Sequence, residues 1–319
     1  MAMHLKKRWL DRRVYEYFAV HIAPWIGWRD PILVYQMGKV ASSSIRNSLF
    51  RCPDPSTRLV LMSHEYHPIR TRDPSHIDIE PEYRDYVLQE IEHDKQVFRQ
   101  FSLRKKLGWR FRERMYAEQI YRSYVKRQNY RLRVISPIRE PVGNNISMFF
   151  EVFDHYAGVT AAESPVDVES MIDMFLARYV HGRPLTWFDA EVKRTLGIDV
   201  FQSTFPREQG HGVFRTGNVE LLVLKSELDD ETKSHAIADF LGLESLTLVR
   251  SNVSSNRGHA DKYAEFKQKI RIPSALLDAM YNSKYAQFFY TPDELAQFRN
   301  KWSGQSIAMA HDRSASQVN

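Results

Sequence analysis

The sequence predicts an α/β fold with a mostly parallel sheet, and three observations carry that expectation. Short apolar runs suited to strands, at 32–36, 58–62, 131–135 and 221–224, are separated by longer stretches of helical period. Strands alternating with helices are the pattern of a layered fold, in which helices cross from one strand to the next parallel one. With 319 residues, 43% hydrophobic and 26% charged, the chain has enough apolar material to bury a core without staples. No repeat or linker divides it. One domain is expected over residues 1–302, with an amphipathic helix over 5–24 and a polar, disordered tail over 303–319.

Near the N-terminus, Leu5, Trp9, Leu10, Val14 and Phe18 recur at roughly helical spacing beside Lys6, Lys7, Arg8, Arg12 and Arg13. A docked helix is the plain reading, and a peripheral membrane contact through the basic face is the sharper one. The segment lacks the apolar core of a signal peptide, and no run approaches the ~20 residues of a membrane span. Cys52 is the sole cysteine, so no intrachain disulfide is possible. That fits a reducing, cytoplasmic setting.

Next comes PILVYQMGKVASSSIRNSLF, Pro31 to Phe50. It reads as a buried strand, a turn at Gly38-Lys39 and a helix opening among Ser42, Ser43 and Ser44. Free N–H groups and the positive end of a helix dipole converge there, and Lys39 adds a full charge. This is a phosphate cradle in outline. A second strand, RLVLM, runs into Ser63, His64, Glu65 and His67, which fall at its carboxyl end, where ligands gather in open α/β sheets. Residues 71–81 form a proline-marked loop, and 82–128 a long helical region broken near Gly108.

The third strand, RLRVI, feeds SPIREPVGNNISMFFEVF. Pro137 and Pro141 bracket a turn holding Arg139, and a helix over 142–154 carries Ser147. Further helices are expected over 167–179 and 185–196. Residues 197–218 lack period and are expected to be irregular. A fourth strand at 221–224 leads into another helix, a last strand is expected at 246–249, and 258–302 is helical with breaks at Pro273 and Pro292.

Net charge is +6, and the excess is local: residues 99–133 hold twelve Lys or Arg against two Glu. Such a run is a solvated helix face, or it draws an anionic cofactor or acidic glycan. No zinc-finger spacing or aromatic RNA-binding signature supports nucleic acid as a partner. The histidines make no HxH or HExxH pattern, so no metal is expected.

The cradle is not a nucleoside-triphosphate loop. That motif needs a glycine five residues before Gly38, where Leu33 stands, and Val40 follows Lys39 where Ser or Thr belongs. A kinase reading is therefore disfavoured. What Lys39-Val40-Ala41-Ser42-Ser43-Ser44 resembles is the 5′-phosphosulfate loop of sulfotransferases that use 3′-phosphoadenosine-5′-phosphosulfate (PAPS). Arg139-Glu140-Pro141 with Ser147 resembles their 3′-phosphate motif, and LLVLKSEL with the helix after it resembles a segment mostly structural in that family. Trp187 to Phe201 and Tyr281 to Leu295 are similar to a bacterial family of capsular polysaccharide synthesis proteins, itself sulfotransferase-like.

The resemblance implies a P-loop-like three-layer fold and transfer of the PAPS sulfuryl group to a hydroxyl of a saccharide or capsular polysaccharide, leaving PAP. It implies cofactor contacts from Gly38, Lys39, Val40, Ala41, Ser42, Ser43, Ser44, Arg139 and Ser147, and, from a basic-glycine loop, Arg257 and Gly258. Lys39 would neutralise the leaving phosphate oxygen. His64 is the candidate base, with Glu65 its competitor and His67 third. Many sulfotransferases carry a second basic residue five after the motif arginine, and this chain has Asn144. The alternative is a non-catalytic nucleotide-binding protein of polysaccharide assembly on the same fold.

Overall fold

A computed structural model describes residues 30–64, 81–103, 106–107, 120–126, 131–249 and 260–304, together with Tyr15, Phe18, Ala19, 21–23 and Ile26. The expected tail beyond 304, most of the expected N-terminal helix, and Glu65, His67, Arg257 and Gly258 lie outside the described residues.

Five strands form one sheet in the order β2-β1-β3-β5-β4. They are β1 (Ile32–Tyr35), β2 (Val60–Ser63), β3 (Leu132–Ile138), β4 (His211–Thr216) and β5 (Val219–Lys225). β2, β1, β3 and β5 are mutually parallel, and β4 pairs antiparallel with β5. The mostly parallel α/β class is as expected.

The helices follow the strands. Among the described residues, the α-helices of five residues or more are α1 (Ser42–Arg51), α2 (Pro81–Gln100), α3 (Pro141–Glu151), α4 (Val168–Arg178) and α5 (Arg183–Trp187), then α6 (Asp230–Leu241), α7 (Ala260–Lys269), α8 (Ser274–Tyr281), α9 (Lys284–Phe289) and α10 (Pro292–Ser303). α5 runs on through a π segment, Phe188–Lys193, into Arg194–Leu196.

Strand side chains alternate between two cores. Ile32, Val34, Ile135, Leu222 and Leu224 face Ile45 and Leu49 of α1 and Ile237 and Leu241 of α6. Leu33, Tyr35, Val134, Leu221 and Val223 face a larger aromatic core with α3, α4, α5 and α7–α10. Both faces are covered, which is why the parallel strands read as continuous apolar runs rather than as alternating ones.

Three expectations change. The irregular stretch 197–218 holds β4, an edge strand half exposed along its length. The run at 246–249 is not a strand: Leu246 packs on the second core, and the Val249 N–H donates to Ser48 Oγ of α1 at 2.7 Å instead of to a ladder. β3 extends past 135 through Pro137 to Ile138. It can do so because its pairing with β1 ends at Val34 and Ile135, leaving no ladder on that side to need the missing proline N–H.

Candidate functional site

Helical crossovers leave β1 toward β2 on one side and, later in the chain, reach β3 on the other. The carboxyl ends of β1 and β3 are therefore the switch point of the sheet, where open α/β folds form a crevice. The first two strand–turn–helix units of interest meet there.

The β1–α1 loop is strained. Gly38, Lys39 and Ala41 have φ of 98°, 58° and 61°, values that non-glycine side chains seldom adopt. Left-handed residues in such a loop turn successive N–H groups inward, a backbone form that suits anions. It is the φ that calls for glycine at Gly38, since a Cβ there would meet only the flexible end of Met148 on α3. α1 begins at Ser42 with Ala41 as its cap. Among the described residues no side chain caps it, and its first turn holds no acidic residue. Its positive end thus suits an anion.

α3 differs in kind. Glu140 fills its N-terminus, accepting from the Val142 and Gly143 N–H groups at 3.0 and 2.7 Å. A second anion at that helix end would meet a carboxylate. Arg139 instead turns toward the first unit, where Nη1 donates to the Lys39 carbonyl at 3.2 Å. Asn144, buried, donates from Nδ2 to the Gly38 carbonyl at 2.8 Å. The two units therefore serve one site.

α3 lays its side chains along this loop. Asn144, Ser147 and Glu151 stand at spacings of three and four, so they share a face. Asn144 reaches Gly38, and Glu151 Oε2 accepts from Lys39 Nζ at 3.0 Å. Ser147 lies between them, half-buried. The expected residues Gly38, Lys39, Val40, Ala41, Ser42, Ser43, Ser44, Arg139 and Ser147 are thus brought together around the β1–α1 loop and the facing side of α3.

His64 stands exposed at the end of β2, next to Gln36 across the β1–β2 pair, where the Gln36 N–H donates to the Ser63 carbonyl at 3.3 Å. The Gln36 side chain ties loop and histidine together. Its Oε1 accepts from the Gly38 N–H at 2.5 Å, and its Nε2 lies 2.7 Å from His64 Nδ1. With the amide oxygen so engaged, Nε2 is the donor and Nδ1 the acceptor. The neutral ring then carries its proton on Nε2.

Below this level, α5 and its π segment hold the strand ends. Trp187 packs against Tyr35 with ring centroids 5.1 Å apart and donates from Nε1 to the His64 carbonyl at 3.4 Å. Tyr35 donates to Glu191 Oε2 at 2.5 Å, with Thr195 Oγ1 3.3 Å away. π segments recur at functional sites because the extra residue re-aims side chains. Here it places the fully buried Glu191 beneath β1.

Sequence reasoning missed Gln36 and Glu151 and read Asn144 only as a missing cation. Glu151 had a signal, standing four residues after Ser147 on a helix. Gln36 had none beyond its place at a strand end. Among the described residues, no group of three or more His, Cys, Asp or Glu could hold a metal ion.

A family model described as "NKWYS: Putative capsular polysaccharide synthesis protein" matches residues 163–291, less than half of the chain. The chain is similar to that family over this segment. No curated protein and no solved structure matches it. The matched residues run from the approach to α4 through α9. They hold the Trp187–Glu191 support beneath β1, whereas the loop with Lys39 and the turn with Arg139 precede them. Among the described residues, no helix is long and apolar enough to cross a membrane.

Proposed function

We propose that the protein is a sulfotransferase that moves the sulfuryl group of PAPS to a hydroxyl of a saccharide, as part of capsular polysaccharide synthesis. The observation that carries this reading is the bond from Arg139 to the Lys39 carbonyl. It joins two cation-bearing turns into one site, as a nucleotide with phosphates at both its 5′ and 3′ positions requires. A single polyphosphate tail would need only the first turn. The acceptor class comes from the name of the family matched over 163–291, and the basic run between 99 and 133 suits an anionic polymer.

The residues fit a nucleotide with anions at both ends. The open end of α1, the strained loop and Ser42, Ser43 and Ser44 would take the 5′ side, with Arg139 and Ser147 on the 3′-phosphate. PAPS, when bound, supplies the activated sulfuryl group. Lys39 leaves Glu151 and neutralises charge on the departing phosphate oxygen, which in a dehydrated site is a large effect. His64 is the base for the acceptor hydroxyl. Its proton rests on Nε2 while Gln36 donates to Nδ1, so His64 takes the acceptor proton only after exchanging tautomer or parting from Gln36. Glu65 remains its competitor in this reading.

Titration calorimetry with PAP, the desulfated product, tests the reading. Micromolar binding, lost in Lys39→Ala and in Arg139→Ala, is the expected result, and a preference for ATP over PAP would overturn it. His64→Ala is expected to abolish sulfate transfer while leaving PAP binding intact.

A further inference from the structure

The turn that carries Arg139 is held from behind by side chains remote from the site. Glu140 is 3% exposed. Besides its two helix N–H groups, it accepts from the Tyr281 hydroxyl at 2.8 Å and from the Trp302 indole N–H at 3.0 Å. The Arg139 carbonyl accepts from the Tyr285 hydroxyl at 2.8 Å. The Glu140 N–H donates to Glu227 Oε1 at 2.8 Å, and the other Glu227 oxygen accepts from the Tyr290 hydroxyl at 3.3 Å. Both backbone groups of the turn and both oxygens of Glu140 are thus fixed by α8, α9, α10 and the end of β5.

This arrangement exceeds what capping α3 requires. A serine or aspartate would satisfy the same two N–H groups without burying a longer carboxylate. The glutamate has room only because Gly143 lacks a Cβ, which would collide with Glu140 Oε1. All four donors to Glu140 are neutral, so among the described residues its oxygens are met by hydrogen bonds and not by a cation. Burial pushes the Glu227 carboxyl above the usual carboxylate range, against the pull of the Glu140 N–H. What the whole assembly leaves facing the crevice is the Arg139 guanidinium.

We infer that Glu140 is a positioning residue for Arg139, and that Tyr281, Tyr285 and Trp302 act through it and through the Arg139 carbonyl to aim the guanidinium at the Lys39 loop. The inference rests on the nucleotide reading above and assigns a task to the C-terminal helices: they set the preference for a 3′-phosphate.

Calorimetry with adenosine 3′,5′-bisphosphate and with adenosine 5′-monophosphate tests it, beside a chemical denaturation curve for each variant. In Glu140→Gln and Tyr285→Phe the preference for the bisphosphate is expected to fall roughly tenfold, with monophosphate affinity held within about twofold. An unchanged preference in folded variants overturns the inference. So does an equal loss for both nucleotides, the mark of general loosening. If Glu140→Gln does not fold, Tyr281→Phe and Tyr285→Phe, each lacking one hydroxyl, decide the matter. Wild-type protein with no preference for the bisphosphate overturns the nucleotide reading and this inference with it, whereas an intact wild-type preference with unaltered variants overturns this inference alone.

Discussion

Asn144 holds the Gly38 carbonyl through a 2.8 Å hydrogen bond across the crevice, from a position where the sulfotransferase resemblance leads one to expect a cation. The residue fixes the loop through its backbone. With Arg139 on the next carbonyl, it keeps both acceptors of the Gly38-Lys39 turn on the α3 side.

Asn144→Ala should therefore weaken PAP binding about tenfold while costing the fold only about 1–2 kcal/mol, the loss of one buried bond to a backbone acceptor. Calorimetry and urea denaturation read the two effects separately. Asn144→Asp should be worse on both counts, since it sets a carboxylate against a carbonyl and beside the anion. Binding equal to wild type in Asn144→Ala would show that the strained loop holds itself.

Glu151 acts on Lys39 directly. The pair is lopsided, with the lysine side chain 15% exposed and the carboxylate 51%, so solvent screens it and its worth is small. Glu151→Gln removes one carboxylate that competes with an incoming anion for Lys39. PAP affinity should rise, by up to about fivefold at low ionic strength, with the gain shrinking in salt. Titrations at two salt concentrations check this. A loss of affinity would mean that Glu151 orders Lys39 and does not compete for it.

His181 gives the fold a pH dependence. Burial pushes its imidazole down to about 4 from an ordinary 6.5, partly offset by the Phe175 carbonyl 3.1 Å from Nε2. The unfolded chain then binds a proton that the folded chain refuses. Stability is intact above about pH 6.5, is lost as pH falls toward 4, and falls no further from this group below that. The full loss is roughly 3 kcal/mol. Denaturation curves at steps across that window should show the decline, and His181→Gln, which keeps a donor for Phe175, should flatten it. An equally steep decline in the variant would assign the effect to other groups.

The elements most legible in the sequence were those whose residues are uniform in what they face. β1 and β5 are buried on both sides and read as apolar runs. α3 is announced by Pro141 at its first turn. β4 escaped because its exposed edge and interior Gly212 break the pattern, although Gly217-Asn218, a two-residue hairpin loop between Thr216 and Val219, was its signal. The segment 246–249 had strand composition but found α1 as its partner, a tertiary choice that propensity does not contain. In the site, the charged residues were legible because Lys39 and Arg139 sit at strand ends. The residues that bind the loop's own backbone were not, because Gln36 and Asn144 owe their roles to a conformation with φ beyond the ordinary range.

The bond between Arg139 and Lys39 also spans 100 positions of chain. Neither half of the crevice can assemble when the first strand leaves the ribosome. β1 must wait for β3, and the Arg139 turn waits longer still, for Trp302 near the end of the described chain. Closing so distant a pair is slow, and the intermediate exposes an unpaired parallel strand edge to its neighbours. A ligand that bridges the two turns would act on the newborn protein as a template, raising the yield of folded molecules during synthesis.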